Sequence, residues 1–371
     1  MQHPLAPLAL VLAAAATAQN QGLVLTNGSV DYVDVPTTST LVPSGGVTVE
    51  AWVTYDGSTL GSGWRFPTLL RKDPSPNQAS YFLRVEAGQT RTNRLLWWVS
   101  TATGNYSVGW TFAAGALQTW THVAATYDGA ALRLVVNGTQ VAQTNGNGAI
   151  LDRGGEFRIG GGDLTVQGGE TWNGEIDEVR VWPFARSPAA IQSTMNLALA
   201  GVPGEVSTWN LDGHVLDTSN GNHGTAVGAP AFANNSLALQ PLSPGASNFG
   251  TGSGCRATGL AAIAAMPQLA NAAFGFVGTR APANQAGLAL LSVGRLPAPL
   301  PIAGIDVWVD LAFGVTVFLQ SSSIGTAEVV FPVPAQGQFL GQAVFGQFAW
   351  IDPSCASGVS ASNAVAVSIL P

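Results

Sequence analysis

Apolar and polar residues alternate with a period of two along short runs of the chain, and turn-forming residues separate the runs. In the stretch 47–53, Val47, Val49, Ala51 and Val53 face one way and Thr48, Glu50 and Trp52 the other. Residues 23–25 and 30–35 flank an Asn27-Gly28-Ser29 turn and read as a hairpin-like entry into a sheet. Stretches 81–85, 95–99 and 106–110 read as strands between Gly and Asn turns, and 157–160 as another. Residues 118–127 and 132–138 read as two strands joined by Asp128-Gly129 and closed by Asn137-Gly138. From 57 to 78, Gly, Ser, Pro and Arg dominate around 66–70, which predicts a short strand between two long loops.

The stretch 172–191 organises the rest. Ile176, Val179, Val181 and Trp182 predict a strand, Gly174 a kink or close approach at its start, and Ser187-Pro188 the cap of a short helix. Glu175 and Asp177 alternate with Ile176 and share a face, while strict alternation sends Glu178 to the opposite one. Runs at 307–311, 315–319, 327–331 and 364–369, punctuated by Pro, Gly and Ser, predict a second, smaller antiparallel β-sandwich beyond a loop-like boundary at 242–245.

Composition narrows the class. A chain of 371 residues with 46% hydrophobic and only 9% charged residues, with 45 Gly and 22 Pro, is an all-β, turn-rich composition able to bury a large core. The net charge of -7 gives no electrostatic footprint for nucleic acid. No run reaches the roughly 20 apolar residues of a transmembrane helix; residues 259–266 come nearest, and Pro267 ends them. Residues 5–16 are apolar and Ala16-Thr17-Ala18 is a small-x-small cleavage site, so residues 1–18 read as a signal peptide and the protein as secreted or at the cell surface. In that oxidising setting the two cysteines, Cys255 and Cys355, are expected to form one disulfide.

Several ordered motifs carry a family resemblance over about residues 22–240. They are Asp31-Tyr32-Val33 with Val35-Pro36, the strand 47–53, the stretch from Trp120 and His122 to Gly138, the closing stretch 174–182, and 205–224 with its Asp217-Thr-Ser-Asn-Gly-Asn-His-Gly224. Together they resemble LamG-like (laminin G type, concanavalin A-like) domains; Asn27, Val135 and Ala190 depart from that pattern. The resemblance implies a concanavalin A-like jelly-roll sandwich over 19–243 that binds a glycan or an extracellular surface protein. It implies calcium as the cofactor, with Asp31 and Asp177 as ligands by motif position, although both residues equally suit turn caps. Residues 244–371 are similar to C-terminal modules of secreted bacterial proteins to which no function attaches.

The same superfamily includes glucanases with E-x-D-x-x-E on one strand. Glu175 and Asp177 fit the first two positions, but Arg180 stands at the third, so no general acid is there and no catalytic residue is expected. His122 reads as structural, and His214 and His223 as turn residues more than metal ligands. Consecutive Trp97 and Trp98 must face opposite sides of their strand; an outward Trp98 beside Trp110 or Trp64 would make a ligand-binding platform, unless a covering layer buries it. The expectation is a secreted binding protein that does not hydrolyse its ligand. The alternatives are a concanavalin-like glycoside hydrolase and a structural surface or matrix component.

Overall fold

The computed structural model describes residues 20–26, 28–43, 45–57, 66–73, 78–87, 93–162, 170–199, 201–202, 204, 207–241, 245–255 and 259–371. The expected signal peptide at 1–18 lies outside the described residues. Ten strands lead the chain: β1 (Gln21–Leu25), β2 (Tyr32–Val35), β3 (Val47–Val53), β4 (Thr68–Lys72), β5 (Tyr81–Glu86), β6 (Arg94–Thr101), β7 (Gly104–Thr111), β8 (Thr121–Tyr127), β9 (Ala131–Val136) and β10 (Thr139–Asn145). After β11 (Phe157–Ile159) and β12 (Gly174–Trp182) come helix α1 (Pro188–Thr194) and β13 (Leu197–Ala198), then β14 (Ser207–Trp209), β15 (Thr225–Val227), β16 (Ala231–Asn234) and β17 (Gln240–Pro241).

These strands make two antiparallel sheets packed face to face, the jelly-roll sandwich that the alternation and the motifs predict. One runs β10-β9-β8-β3-β12-β1-β16 with β14 also on β12; the other runs β15-β2-β11-β4-β5-β6-β7. Their inner faces share a core that includes Val49, Val53, Leu83, Trp97, Val123, Trp172 and Trp209. The segment after α1 belongs to this sandwich by pairing, since β14 joins β12, β15 joins β2 and β16 joins β1.

β3 is buried along its whole length, on both faces. Its outer face is covered because the chain turns back after β12 and lays α1 over the sheet. Ser187 caps the helix by accepting the Ala190 amide at 3.2 Å, with Pro188 in the first turn, as the sequence predicts. Ile191 then packs on Ala124 and Val135. Gly174 fulfils its expectation of a close approach: at φ +143, a Cβ there would stand 2.2 Å from the Thr54 carbonyl oxygen.

The second half forms β18 (Ala246–Phe249), β19 (Leu260–Ile263), β20 (Gly275–Thr279), β21 (Ala286–Ser292), β22 (Arg295–Ile302), β23 (Ile305–Val309), β24 (Gly314–Gln320), β25 (Ala327–Val330), β26 (Ala343–Ile351) and β27 (Val359–Ser368). A five-stranded sheet, β18-β27-β26-β21-β24, has both faces covered. Ala289, Leu291, Phe348 and Val365 join a core with the three-stranded sheet β19-β20-β25, while Leu290, Phe345 and Ala364 pack under the β22-β23 hairpin. The first of these cores also takes in Trp182, Phe184, Leu197 and Val202 from before residue 242, so the two halves share buried apolar surface. The Asp128-Gly129 turn takes part as well. Gly129, at φ +85, lies against Ile324, and a Cβ there would meet that side chain at 2.7 Å.

Cys255 and Cys355 are disulfide-bonded across a sequence separation of 100, as the cysteine count predicts. Closing a loop of that length stabilises by about 4–5 kcal/mol in the chain-entropy model. A Cys255→Ser/Cys355→Ser double variant should therefore unfold at markedly lower urea concentration than the parent. Superimposable denaturation curves would contradict this.

Candidate ligand-binding surfaces

The closing strand was expected to alternate strictly, and it does not. Its register against β3 shifts between Asp177 and Arg180, and Glu178 takes φ +50, so one extra residue is accommodated as a β-bulge. Ile176, Val179 and Val181 stay in the sandwich core, whereas Glu178, Arg180 and Trp182 make their contacts on the outer face beneath α1. The expectation that Glu178 opposes Asp177 is thereby corrected: the bulge brings both carboxylates to the outer side.

The bulge lies where the edge of β12 changes partner, from β1 at Gly174–Ile176 to β14 at Val179–Val181. Asp177, fully buried, fills that joint. Its Oδ2 accepts from the side-chain amides of Asn20 and Asn235, each at 2.8 Å, and its Oδ1 from the Glu178 N–H at 2.7 Å. Asn235 Oδ1 in turn accepts the Leu237 amide, which fixes its NH2 toward Asp177. Burial, and then the Glu178 charge, push the Asp177 carboxyl up to about 8 against the pull of these donors. Glu178, also raised by burial, accepts from Asn210 at 2.6 Å and from Arg180 at 2.6 Å.

Further along the same face, Glu50 accepts from Trp182 Nε1 at 2.7 Å and from Arg186 at 2.8 Å, all three side chains buried. Burial opposes the Glu50 charge, but the neighbouring guanidiniums, Arg186 foremost and then Arg180, outweigh it and hold the carboxyl below its usual range. His122 is pushed down to about 4 by burial and stands edge-on to Trp52, a neutral structural residue as expected. Arg186 continues to the carbonyls of Ala190 and of Ala264 in the second half.

The residues chosen for calcium, Asp31 and Asp177, are not brought together. Asp31 accepts the Ala229 amide at 2.9 Å at the start of β2, and Asp177 sits among amide donors rather than the oxygen ligands that calcium requires. His214 and His223 each accept a backbone N–H through Nδ1, from Leu216 and Asp217. The loop they frame is held by Asp217, whose carboxylate accepts the amides of Thr208, Ser219, Asn220 and Asn222. Among the described residues, three metal-ligating side chains converge only at Cys255, Asp352 and Cys355, where both sulfurs are in the disulfide.

Of the three tryptophans expected to form a platform, Trp98 and Trp110 lie on opposite faces of their sheet. Trp97 is in the core and Trp98 half-buried on the outer face of the second sheet, as alternation requires. Trp110 pairs opposite Leu95 and packs against the inner core beside Phe112, so it does not share a face with Trp98. Trp64 lies outside the described residues. Trp98 instead stacks on Phe82 across the β5–β6 pair, with centroids 5.1 Å apart and planes within 7°. The Arg84 guanidinium lies 4.4 Å over Phe82 and 4.2 Å over Phe66, and Glu86 links Arg84 to Arg94 beside them. Phe66, Phe82 and Arg84 were not singled out in the sequence; their grouping comes from strand register.

Residues 27–192 match the profile of the Concanavalin A-like lectin/glucanases superfamily, a span just under half of the chain. A crystal structure of a candidate carbohydrate binding protein from Bacteroides ovatus ATCC 8483 aligns at 20% identity and TM-score 0.45, over 59% of this chain and 60% of that one. A native heptameric SAP-like pentraxin from Limulus polyphemus aligns at 14% identity and TM-score 0.45, over 60% of this chain and 99% of its own. The CBM40 of Ruminococcus gnavus IT-sialidase, bound to alpha2,3 sialyllactose, aligns at 15% identity and TM-score 0.35, over 45% and 94%. The aligned part of this chain thus spans less than two thirds of the Bacteroides protein. No curated protein matches the sequence.

Two outcomes follow from the buried charges. Asp177 keeps its proton in the fold at pH values where the unfolded chain has lost it. Its contribution to stability is therefore complete below about pH 4 and is lost as pH rises toward about 8. Asp177→Asn should flatten the fall in melting temperature between about pH 5 and about pH 9; an unchanged slope would contradict the assignment. Arg186→Ala strands the buried Glu50 and should cost about 3–5 kcal/mol in denaturant titration.

Proposed function

We propose that this is a secreted glycan-binding protein whose outer sheet face receives a sugar ring, a reading supported by the match of residues 27–192 to the profile of the Concanavalin A-like lectin/glucanases superfamily. The observation that carries the reading is the aromatic and guanidinium strip of Trp98, Phe82, Arg84 and Phe66. An indole backed by a second ring cannot rotate away, so it offers a pre-ordered apolar plane to the C–H face of a sugar. Glu86 and Arg94 supply polar partners for hydroxyls at its edge.

The protein binds without hydrolysing. A retaining mechanism needs two solvent-reachable carboxylates on one face. On β12, Asp177 is sealed beneath Asn20 and Asn235, and the third motif position is occupied by Arg180, itself paired to Glu178. Binding at the Trp98 face uses no carboxylate pair, and so proceeds without calcium.

A glycan array on the purified protein should give hits that persist in EDTA. Trp98→Ala should weaken them at least about tenfold, equivalent to about 1.4 kcal/mol, with little change in melting temperature. Full affinity in Trp98→Ala would remove this face from consideration. New reducing ends that vanish in Glu175→Gln would establish an enzyme instead.

A further inference from the structure

Strand β24 (Gly314–Gln320) forms one edge of the five-stranded sheet, and among the described residues β21 is its only strand partner. The two strands pair without a register shift from Ala286–Gln320 to Ser292–Gly314. Just beyond the ends of that ladder, the Ser321 amide donates to the Gln285 carbonyl and the Val293 amide to the Phe313 carbonyl. In an antiparallel pair, residues that exchange backbone hydrogen bonds alternate with residues that do not. The odd-numbered residues of β24 therefore direct their N–H and C=O groups to β21. Those of Gly314, Thr316, Phe318 and Gln320 point away from it, along the open edge.

This edge has none of the devices that keep such edges unpaired. No charged residue stands between Asp310 and Glu328, and β24 contains no proline and no bulge against β21. By contrast β22, likewise paired on one side only, carries Pro297, Pro299 and Pro301. The surface around β24 is apolar: Val293, Phe313, Val315 and Phe318 are 61–86% exposed. The two open phenyl rings alone amount to roughly 300 Å² per copy, a large part of the about 800 Å² per partner in a standard interface.

We infer that β24 pairs with β24 of a second copy of this chain, antiparallel about a two-fold axis through Val317, so that the two five-stranded sheets become one continuous sheet. The strand is complementary to itself in that register. With Val317 opposite Val317, Gly314 falls opposite Gln320 and Thr316 opposite Phe318. These are the residues whose backbone groups face the edge, so each outward N–H meets a carbonyl. A shift by one residue would set outward groups against inward ones. On one face Val315 meets Leu319 across the axis and Val317 meets Val317. Val317 and Leu319 already pack on the core of the second half, and the pairing prolongs that core. On the other face each Phe318 ring lies beside Thr316 of the second copy. Two chains of net charge -7 repel one another, and a charge-free strand is where their approach costs least. Because the contact covers the same edge in both copies, assembly closes at two. The inference is independent of the glycan-binding reading.

Sedimentation velocity on the full chain, diluted from about 100 μM so that micromolar dissociation constants are detected, should show a dimer. Phe318→Lys sets like charges near the axis, and Thr316→Pro removes an N–H that β21 does not use. Each should weaken the dimer at least tenfold and leave the circular dichroism spectrum unchanged. Crosslinking reads the register: residues opposite each other in a non-hydrogen-bonded pair have Cα atoms about 4.5 Å apart, within reach of a disulfide. Val317→Cys should therefore link two chains under mild oxidation, and Thr316→Cys should not. A parent that stays monomeric at about 100 μM, a dimer that survives both Phe318→Lys and Thr316→Pro, or crosslinking at Thr316→Cys in preference to Val317→Cys would each overturn the inference.

Discussion

One extra residue in β12 decides how this jelly roll closes. Without the bulge at Asp177–Glu178, the residues after it would exchange faces, with Arg180 turned into the sandwich core and Val179 and Val181 outward. With it, Ile176, Val179 and Val181 all remain inside and the charged residues stay outside. The same bulge marks the place where one edge of β12 passes from β1 to β14. A partner change leaves strand ends meeting in a buried corner, where backbone and amide groups need partners. Asp177 and Glu178 answer that need by holding Asn20 before β1, Asn235 after β16 and Asn210 after β14. The carboxylates that look like part of a hydrolytic motif are the corner posts of the fold.

A chain with so few charges places several of them inside. Arg158, Arg180, Arg186 and Lys72 are each at most 2% exposed, and each meets a carboxylate: Asp34, Glu178, Glu50 and Asp73. Desolvating such pairs offsets much of their attraction, so they add little net stability, whereas leaving one member unpaired is costly. Their effect here is to make alternatives expensive. Arg186 reaches Glu50 on β3, Ala190 in α1 and Ala264 in the second half, so a displaced helix or module would break several buried hydrogen bonds at once.

Much of this was legible in the sequence, and the rest failed for identifiable reasons. Strand after strand in the first half follows its alternation, and Ser187-Pro188 caps α1 where it should. The bulge left a trace that strict alternation overrode: Ile176 is even-numbered while Val179 and Val181 are odd, yet all three are apolar. The pairing of Trp98 with Phe82 and the parting of Trp98 from Trp110 depend on cross-strand register, which no single strand encodes. β21 escaped notice because its Ala, Gly and Leu residues serve cores on both faces, which erases the period-two signal. The donors around Asp177 come from Asn20 and Asn235, distant in sequence, and the position of Asp177 within its motif does not reveal them.

The second half is joined to the jelly roll by more than a linker. Trp182 and Phe184, immediately after the bulged part of β12 on the covered outer face, share a core with Ala262, Phe274 and Phe276. The same strand that sets the corner of the sandwich thus also supplies the apolar seam between the two halves.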